Sequence, residues 1–120
     1  MSPNISAGKT NPDYYKGKII IIVNESTLSQ SEFSTMAFST APNVTVIGST
    51  TAGADGNVSQ IILPSGITTG ISGIGVYYPD GKETQRVGIV PDIEVKPTIQ
   101  GITEGKDELV EKAVKLINLK

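Results

Sequence analysis

The run KIIIIV, Lys18–Val23, constrains the fold of this chain more than any other feature. A continuous β-branched run is typical of a strand buried on both faces of a sheet, because a half-exposed strand would alternate apolar and polar residues. Apolar residues at helical spacing then predict a helix over Ser29–Ala41, ended by Pro42. A second short strand follows at Val44–Gly48. Strand, helix and strand without a hairpin turn predict parallel pairing through a right-handed crossover.

The rest of the chain predicts a mixed sheet closed by a helix. The closing helix is expected over Lys106–Asn118, because its apolar residues share one face. So many strands with only two helices predict an α/β domain that is incomplete, since a buried Ile-rich strand needs cover on both faces. We interpret residues 1–16 as a polar arm or cut end and 17–120 as one unit. The further predicted strands are Val58–Leu63, Ile67–Ser72, Gly75–Tyr78, Val87–Val90 and Ile93–Val95.

Composition excludes several kinds of function. The net charge is −2, with 10 Lys and Arg scattered along 120 residues, so no basic stripe favours a nucleic-acid partner. No apolar run approaches the roughly 20 residues that a membrane-spanning helix needs. The chain has no cysteine and no histidine, which removes thiolate chemistry, the usual zinc ligands and the commonest general base. We therefore predict no metal and no cofactor.

The hydroxyl-rich turn VNESTLSQSEF, Val23–Phe33, is the strongest candidate for chemistry. A serine where a strand enters a helix can project from the sheet edge, and the first helical N–H groups can bind an oxyanion. Ser29 stands at this point, and the backbone N–H of Gln30 would be the oxyanion donor. The simpler alternative is a capping box, because Ser29 and Glu32 match S-x-x-E.

Four segments, in order and spacing, resemble the C-terminal processing peptidases, also called tail-specific proteases. Asn24–Phe33 resembles N-E-G-S-A-S-A-S-E, and Val44–Gly53 resembles v-v-G-x-x-T-x-G. Tyr77–Val95 resembles y-x-P-d-G-x-x-x-x-x-x-G-I-x-P-D-i-x-V, and Gly105–Ile117 resembles the closing helix. The resemblance covers roughly residues 17–118 and implies a serine peptidase on a ClpP/crotonase-like fold.

The resemblance implies Ser29 as the nucleophile, three residues before Glu32. Many members pair this serine with a lysine, but Ala54 stands in the lysine's place, which argues against a dyad. A lysine-free, tricorn-like branch instead uses a histidine from an upstream segment and an acidic residue at a position that here is Gln85. Gln85 is either an orienting residue or an ordinary polar residue of a strand. Asp55 either caps a turn or has a regulatory or substrate-contact role, since the resemblance puts its loop opposite the nucleophile.

We therefore expect the C-terminal part of a serine peptidase's catalytic domain, acting on a peptide or protein substrate. Its general base would come from the missing N-terminal part, so the chain alone is expected to be inactive. Two alternatives stay open: a non-catalytic peptide-binding or structural module of the same fold, and a crotonase-like acyl-CoA enzyme. Exposed apolar surface makes a homo-oligomer possible. The resemblance implies that the protein is exported, with a periplasmic or extracytoplasmic location.

Overall fold

A parallel βαβ unit organises the fold, as the Ile run predicts. The computed structural model describes residues 9–119; the first part of the predicted polar arm, residues 1–8, lies outside them. Strand β1, Ile19–Val23, leads through helix α1, Gln30–Ser39, to strand β2, Val44–Gly48. The two strands pair in parallel from Ile19 opposite Val44 to Val23 opposite Gly48. The α/β class with a parallel start is therefore confirmed.

The remaining elements add one strand to this sheet, a separate hairpin and two helices. The three-stranded sheet has the order β1–β2–β5, and β5 is also parallel to β2. Buried residues from several elements form a small core, among them Val46, Ile47 and Ile89. Helix α3 packs on β1 and β2. The elements after β2 are β3 (Val58–Ile62), β4 (Thr68–Ser72), β5 (Ile93–Glu94), α2 (Ile99–Thr103) and α3 (Glu108–Asn118).

Two predicted strands are wrong, and one helix was not predicted. Gly75–Tyr78 forms no strand and contributes only an isolated bridge between Tyr77 and Glu83. Val87–Val90 is irregular because the N–H groups of Val87 and Gly88 both donate to the Thr84 carbonyl, which coils the chain instead of extending it. Helix α2 follows Thr98, whose hydroxyl accepts from the Gly101 N–H at 2.9 Å.

The prediction that β1 is buried on both faces is also wrong for the described part of the chain. Ile19, Ile20 and Ile21 are only half-buried, and Ile22 is 41% exposed. An open apolar groove runs between β1 and α1, lined by these isoleucines and by Phe38. Strand β1 also lies at the edge of the three-stranded sheet. Its sequence is that of a fully covered strand, whereas residues 9–119 cover it only in part.

Strands β3 and β4 form an antiparallel hairpin that stands apart from the main sheet. Val58 pairs with Ser72 at its base, and Ile62 pairs with Thr68 near its tip. All ten strand residues are exposed. No charged residue occurs between Asp55 and Asp80. The hairpin is thus an uncharged projection that exposes four large apolar side chains, Val58, Ile61, Ile62 and Ile71.

Candidate active site

Ser29 occupies a backbone conformation that favours glycine. Its φ is 53° and its ψ is −126°. The Ser31 N–H donates to the Leu28 carbonyl at 3.2 Å, which closes a four-residue turn around Ser29 and Gln30. These values match the first central position of a type II′ turn, where glycine is the usual residue. Serine is therefore held in a strained conformation at the entrance to α1.

This conformation is unusual for a capping residue, although Ser29 and Glu32 are placed as in a capping box. A capping residue normally has extended φ and ψ, and its hydroxyl accepts a hydrogen bond from the first turn. Among the described residues, the Ser29 hydroxyl makes no side-chain capping bond. The Glu32 N–H donates instead to the Ser29 carbonyl at 2.8 Å. Ser29 and Glu32 nevertheless keep the paired placement of a capping box, and the Glu32 carboxylate accepts from the Ser29 N–H at 3.2 Å.

Gln30 begins α1, as the predicted oxyanion role requires. The first N–H groups of a helix have no partner within the helix. Within residues 9–119 we find no acceptor for the Gln30 N–H. This donor belongs to the residue directly after Ser29, and Gln30 is exposed. The turn therefore places a backbone donor that has no acceptor in this part of the chain directly after Ser29.

Glu32 holds the turn against the loop that follows β2. Its side chain is only 1% exposed. The carboxylate accepts from the N–H groups of Gly53 at 2.8 Å and Ala54 at 2.9 Å, and also from the Thr51 hydroxyl. With the Ser29 N–H, four donors converge on one buried carboxylate. Such a network fixes the turn around Ser29 to the loop.

Thr51 extends this network to the G-x-x-P-D block, Gly88–Asp92, a contact that sequence reasoning missed. Its hydroxyl donates to Glu32 and accepts from the Ile89 N–H at 2.7 Å. Gly88 lies so close that an added Cβ would be 2.5 Å from the Thr51 carbonyl oxygen. The threonine of the T-x-G pattern, which is Thr51, was the sequence signal that could have indicated this contact. The separated motifs are thus parts of one hydrogen-bonded unit.

Asp92, of the same block, joins it to the sheet. One of its carboxylate oxygens accepts from the Val46 N–H, and its own N–H donates to the Val46 carbonyl, both at 2.8 Å. The aspartate therefore pairs with β2 just before β5 begins. This contact accounts for an aspartate at this position without a role in catalysis.

Ala54 is hydrogen-bonded to the turn around Ser29 through its backbone. Its carbonyl accepts from the Ser29 N–H at 3.1 Å, so that N–H is shared between Ala54 and Glu32. The methyl side chain cannot accept a proton. The position at which the resemblance places a lysine therefore lies beside Ser29 and carries no base.

Gln85 supports the same loop but has no hydrogen bond to Ser29. Its amide nitrogen donates to the carbonyls of Asp55 at 2.7 Å and Ile74 at 3.0 Å. Its oxygen accepts from the Val76 N–H at 3.3 Å. All of these partners are backbone groups. Gln85 therefore links the loop after Ala54 to the segment beyond the hairpin, and it does not lie in a strand.

Asp55 is the unexpected residue of the site. It is only 6% exposed. One carboxylate oxygen accepts from the Gly56 N–H at 2.7 Å, whereas the other is buried and has no partner among the described residues. Burial raises the pKa of this carboxyl; the Gly56 bond opposes that effect, and the nearby charge of Glu32 adds to it. A buried carboxylate oxygen without a donor is costly, so it calls for an explanation.

The fold is that of the α/β serine peptidases. A solved candidate peptidase from Parabacteroides merdae is similar, with 28% identity and a TM-score of 0.82 over 88% of this chain and 33% of that one. Mature CPAF bound to lactacystin has 27% identity and a TM-score of 0.77 over 89% of this chain and 22% of that one. Tricorn protease, at 22% identity and a TM-score of 0.73 over 94% of this chain and 12% of that one, shares the fold.

The chain belongs to peptidase family S41, whose family model matches residues 2–95. No curated protein matches it. The chain spans about a third of the candidate peptidase and about a fifth of CPAF, so it corresponds to part of their length. No helix within residues 9–119 is long and apolar enough to cross a membrane.

Proposed function

We propose that this chain carries the nucleophile and the oxyanion donor of a serine peptidase. The observation that supports it most is the backbone of Ser29, a serine held at a φ of 53°, where glycine is favoured, directly before the first residue of α1. Strain of this kind persists where the surroundings fix it, and it clusters at active sites. Here Glu32 and Ala54 fix it by accepting from the Ser29 N–H.

In the proposed reaction, the Ser29 oxygen attacks the carbonyl carbon of a peptide bond. The serine proton passes to a general base and then to the departing amine, while the negative charge on the carbonyl oxygen is stabilised by the Gln30 N–H. Water then attacks the acyl group with the same base and frees Ser29. This order of steps leaves the enzyme unchanged and produces one carboxylate and one amine.

The general base comes from another segment in this proposal. The chain contains no histidine, and Ala54 stands beside Ser29 where the resemblance places a lysine. We propose an upstream segment as the source. It would also cover β1, an edge strand whose Ile22 and neighbouring Phe38 are exposed. This chain alone is then inactive.

A peptide or protein substrate is consistent with the family. Cleavage near a C-terminus, a ClpP/crotonase-like ancestry, export and a homo-oligomer remain predictions of the sequence and its resemblance.

One alternative is a non-catalytic module of the same fold, which Ala54 and Gln85 favour. Neither side chain can act as a base, and Gln85 is occupied by backbone groups. Such a module would bind peptides without cleaving them. A crotonase-like acyl-CoA enzyme has no comparable support from any contact within residues 9–119.

A fluorophosphonate probe separates these possibilities, because it reacts only with an activated serine. We expect labelling when the chain is joined to its upstream segment, none for the chain alone, and none after Ser29→Ala. Ser31→Ala is the matched control and should keep labelling, since Ser31 lies two residues further along the same turn. Labelling and peptidase activity that survive Ser29→Ala would refute the proposal. An unlabelled but folded joined protein would favour the non-catalytic module.

A further inference from the structure

We propose that Phe33 is a specificity-determining residue of the Ser29 site, and that it contacts a large apolar side chain on the substrate residue whose carbonyl Ser29 attacks. The inference rests on the proposed peptidase function and adds to it the class of peptide that is preferred. Phe33 takes no part in bond making or proton transfer in this role. It supplies contact area for the substrate side chain beside the reacting carbonyl.

The backbone fixes Phe33 close to Ser29 and Gln30. The Phe33 N–H donates to the Ser29 carbonyl at 3.1 Å, within the first turn of α1. Phe33 follows Gln30 by three residues and Ser29 by four, which is the spacing of residues on one side of a helix. Long side chains of a helix lean towards its N-terminus and cover the preceding turn. The Phe33 side chain is therefore directed towards the turn that carries the candidate nucleophile and oxyanion donor.

Phe33 is exposed although its spacing from Met36 is that of a core residue. Met36 is buried, whereas Phe33 is 40% exposed. Phe33 also lies outside the lining of the apolar groove between β1 and α1, to which this helix contributes Phe38. The proposed cover of β1 therefore does not account for an aromatic side chain at position 33.

Leu28 adds a second large apolar side chain beside Ser29. It directly precedes Ser29 and is 54% exposed. Leu28 and Phe33 are the residue before the cap and the fourth residue of the helix, the two positions that a hydrophobic staple brings together. Two apolar side chains, both open to solvent, thus border the turn.

The segment around the site adds no exposed charge to this surface. Between Glu25 and Asp55, Glu32 is the only charged residue, and its buried carboxylate is occupied by four donors. Such a surface favours an apolar substrate side chain, because a charged one would lose hydration without gaining a partner. The substrate side chain nearest to Ser29 belongs to the residue that bears the attacked carbonyl, because it begins two bonds from that carbon.

The ordinary explanation is that Phe33 is a core residue of the whole protein, covered by the upstream segment. Its removal would then lower stability and would affect every substrate equally. A substrate contact instead changes the ratio of activities between peptides and leaves the melting temperature close to that of the wild type. The two explanations therefore give different results in the same variants.

The test uses the chain joined to its upstream segment and peptidyl coumarin amides in which the residue before the cleaved amide bond is Phe, Ala or Glu. We expect wild-type kcat/KM to be highest for the Phe peptide. Phe33→Ala should lower the Phe-to-Ala ratio of kcat/KM about 10- to 100-fold, and Phe33→Leu should lower it less, because apolar contacts with one side chain discriminate by about this factor. Phe33→Lys should raise kcat/KM for the Glu peptide relative to the Phe peptide.

Phe38→Ala is the matched control and should keep the wild-type ratio, because Phe38 lies in the groove on another face of α1. Fluorophosphonate labelling of Ser29 needs no peptide side chain, so it counts the folded active sites in each variant. A wild-type ratio in labelled Phe33→Ala would overturn the inference. Lost folding in both Phe33→Ala and Phe33→Leu would also overturn it, since Phe33 would then be a core residue.

These failures are distinct from failure of the proposed function. Activity that survives Ser29→Ala, or a folded joined protein without activity, rejects the peptidase site as a whole and the role of Phe33 with it. An active wild type whose Phe33 variants keep the wild-type ratio rejects only the role of Phe33.

Discussion

Replacing Ser29 by glycine should make the fold more stable than replacing it by alanine. Both substitutions remove the hydroxyl, and both keep the N–H that Glu32 and Ala54 accept. They differ in the backbone, because alanine keeps a Cβ at φ 53° and ψ −126° whereas glycine adopts this conformation freely. The comparison therefore measures the strain stored at the candidate nucleophile.

The magnitude follows from two opposing terms. A non-glycine residue in a sparsely populated backbone region costs about 1–3 kcal/mol. Glycine loses more conformational entropy on folding, which offsets about 0.4–1 kcal/mol of that gain. The Ser29→Gly variant should therefore exceed Ser29→Ala by about 0.5–2 kcal/mol in the free energy of unfolding.

Urea unfolding of the two variants gives this difference directly from their midpoints and common slope. Ser34, within α1, is the matched control. There glycine should be less stable than alanine by about 1 kcal/mol, because the backbone is helical. Glycine should therefore be more stable than alanine at position 29 and less stable than alanine at position 34. A Ser29→Gly variant less stable than Ser29→Ala would refute the strained-turn interpretation.

Three further predictions concern the supporting contacts. Glu32→Gln should lower the free energy of unfolding, measured in urea, by about 3 kcal/mol, because the amide NH₂ that replaces a carboxylate oxygen would face buried donors. Equal stability would contradict the four-donor network. Gly48→Ala should lower the free energy of unfolding by at least about 3 kcal/mol, since its Cβ would lie 1.8 Å from the Val23 carbonyl oxygen. Gly66→Ala is the control, because its Cβ would meet no atom within 4 Å. It should lose only the cost of a left-handed backbone, about 1–2 kcal/mol. For Asp55, the pKa is raised on folding, so the folded state binds more protons and stability falls as pH rises from the ordinary aspartate pKa through the raised one. Unfolding measured across that window should show this loss in the native chain and not in Asp55→Asn.

The βαβ unit could be predicted from sequence because its signals are local. The Ile run, the helical spacing and the ending of α1 near Pro42 each depend on neighbours in the chain. The predicted strand Val44–Gly48 matches β2 at both ends. The strands predicted over 75–78 and 87–90 do not form, because the structure of these segments depends on distant parts of the chain. Their apolar residues suggest strands, yet their backbone groups are used in turns and in contacts with distant loops.

The residues of the candidate site could be picked out from sequence, but their contacts could not. Ser29 and Gln30 lie at the predicted strand-to-helix turn. The positive φ of Ser29 could not be predicted, because a serine before a helix ordinarily indicates a cap. The convergence of Thr51, Gly53 and Ala54 on Glu32 joins positions about twenty residues apart, which no local pattern reports. The burial of Asp55 is likewise a property of the folded loop.

The β3–β4 hairpin has a consequence for how this chain behaves in solution. All 22 charged residues lie outside the segment between Asp55 and Asp80 that contains it. Salt weakens contacts between charges but does not weaken contacts between apolar groups. Molecules that meet through this projection should therefore associate about as well in dilute salt as in concentrated salt. Because burial of apolar surface weakens on cooling, lower temperature and not added salt is the condition that keeps such molecules apart.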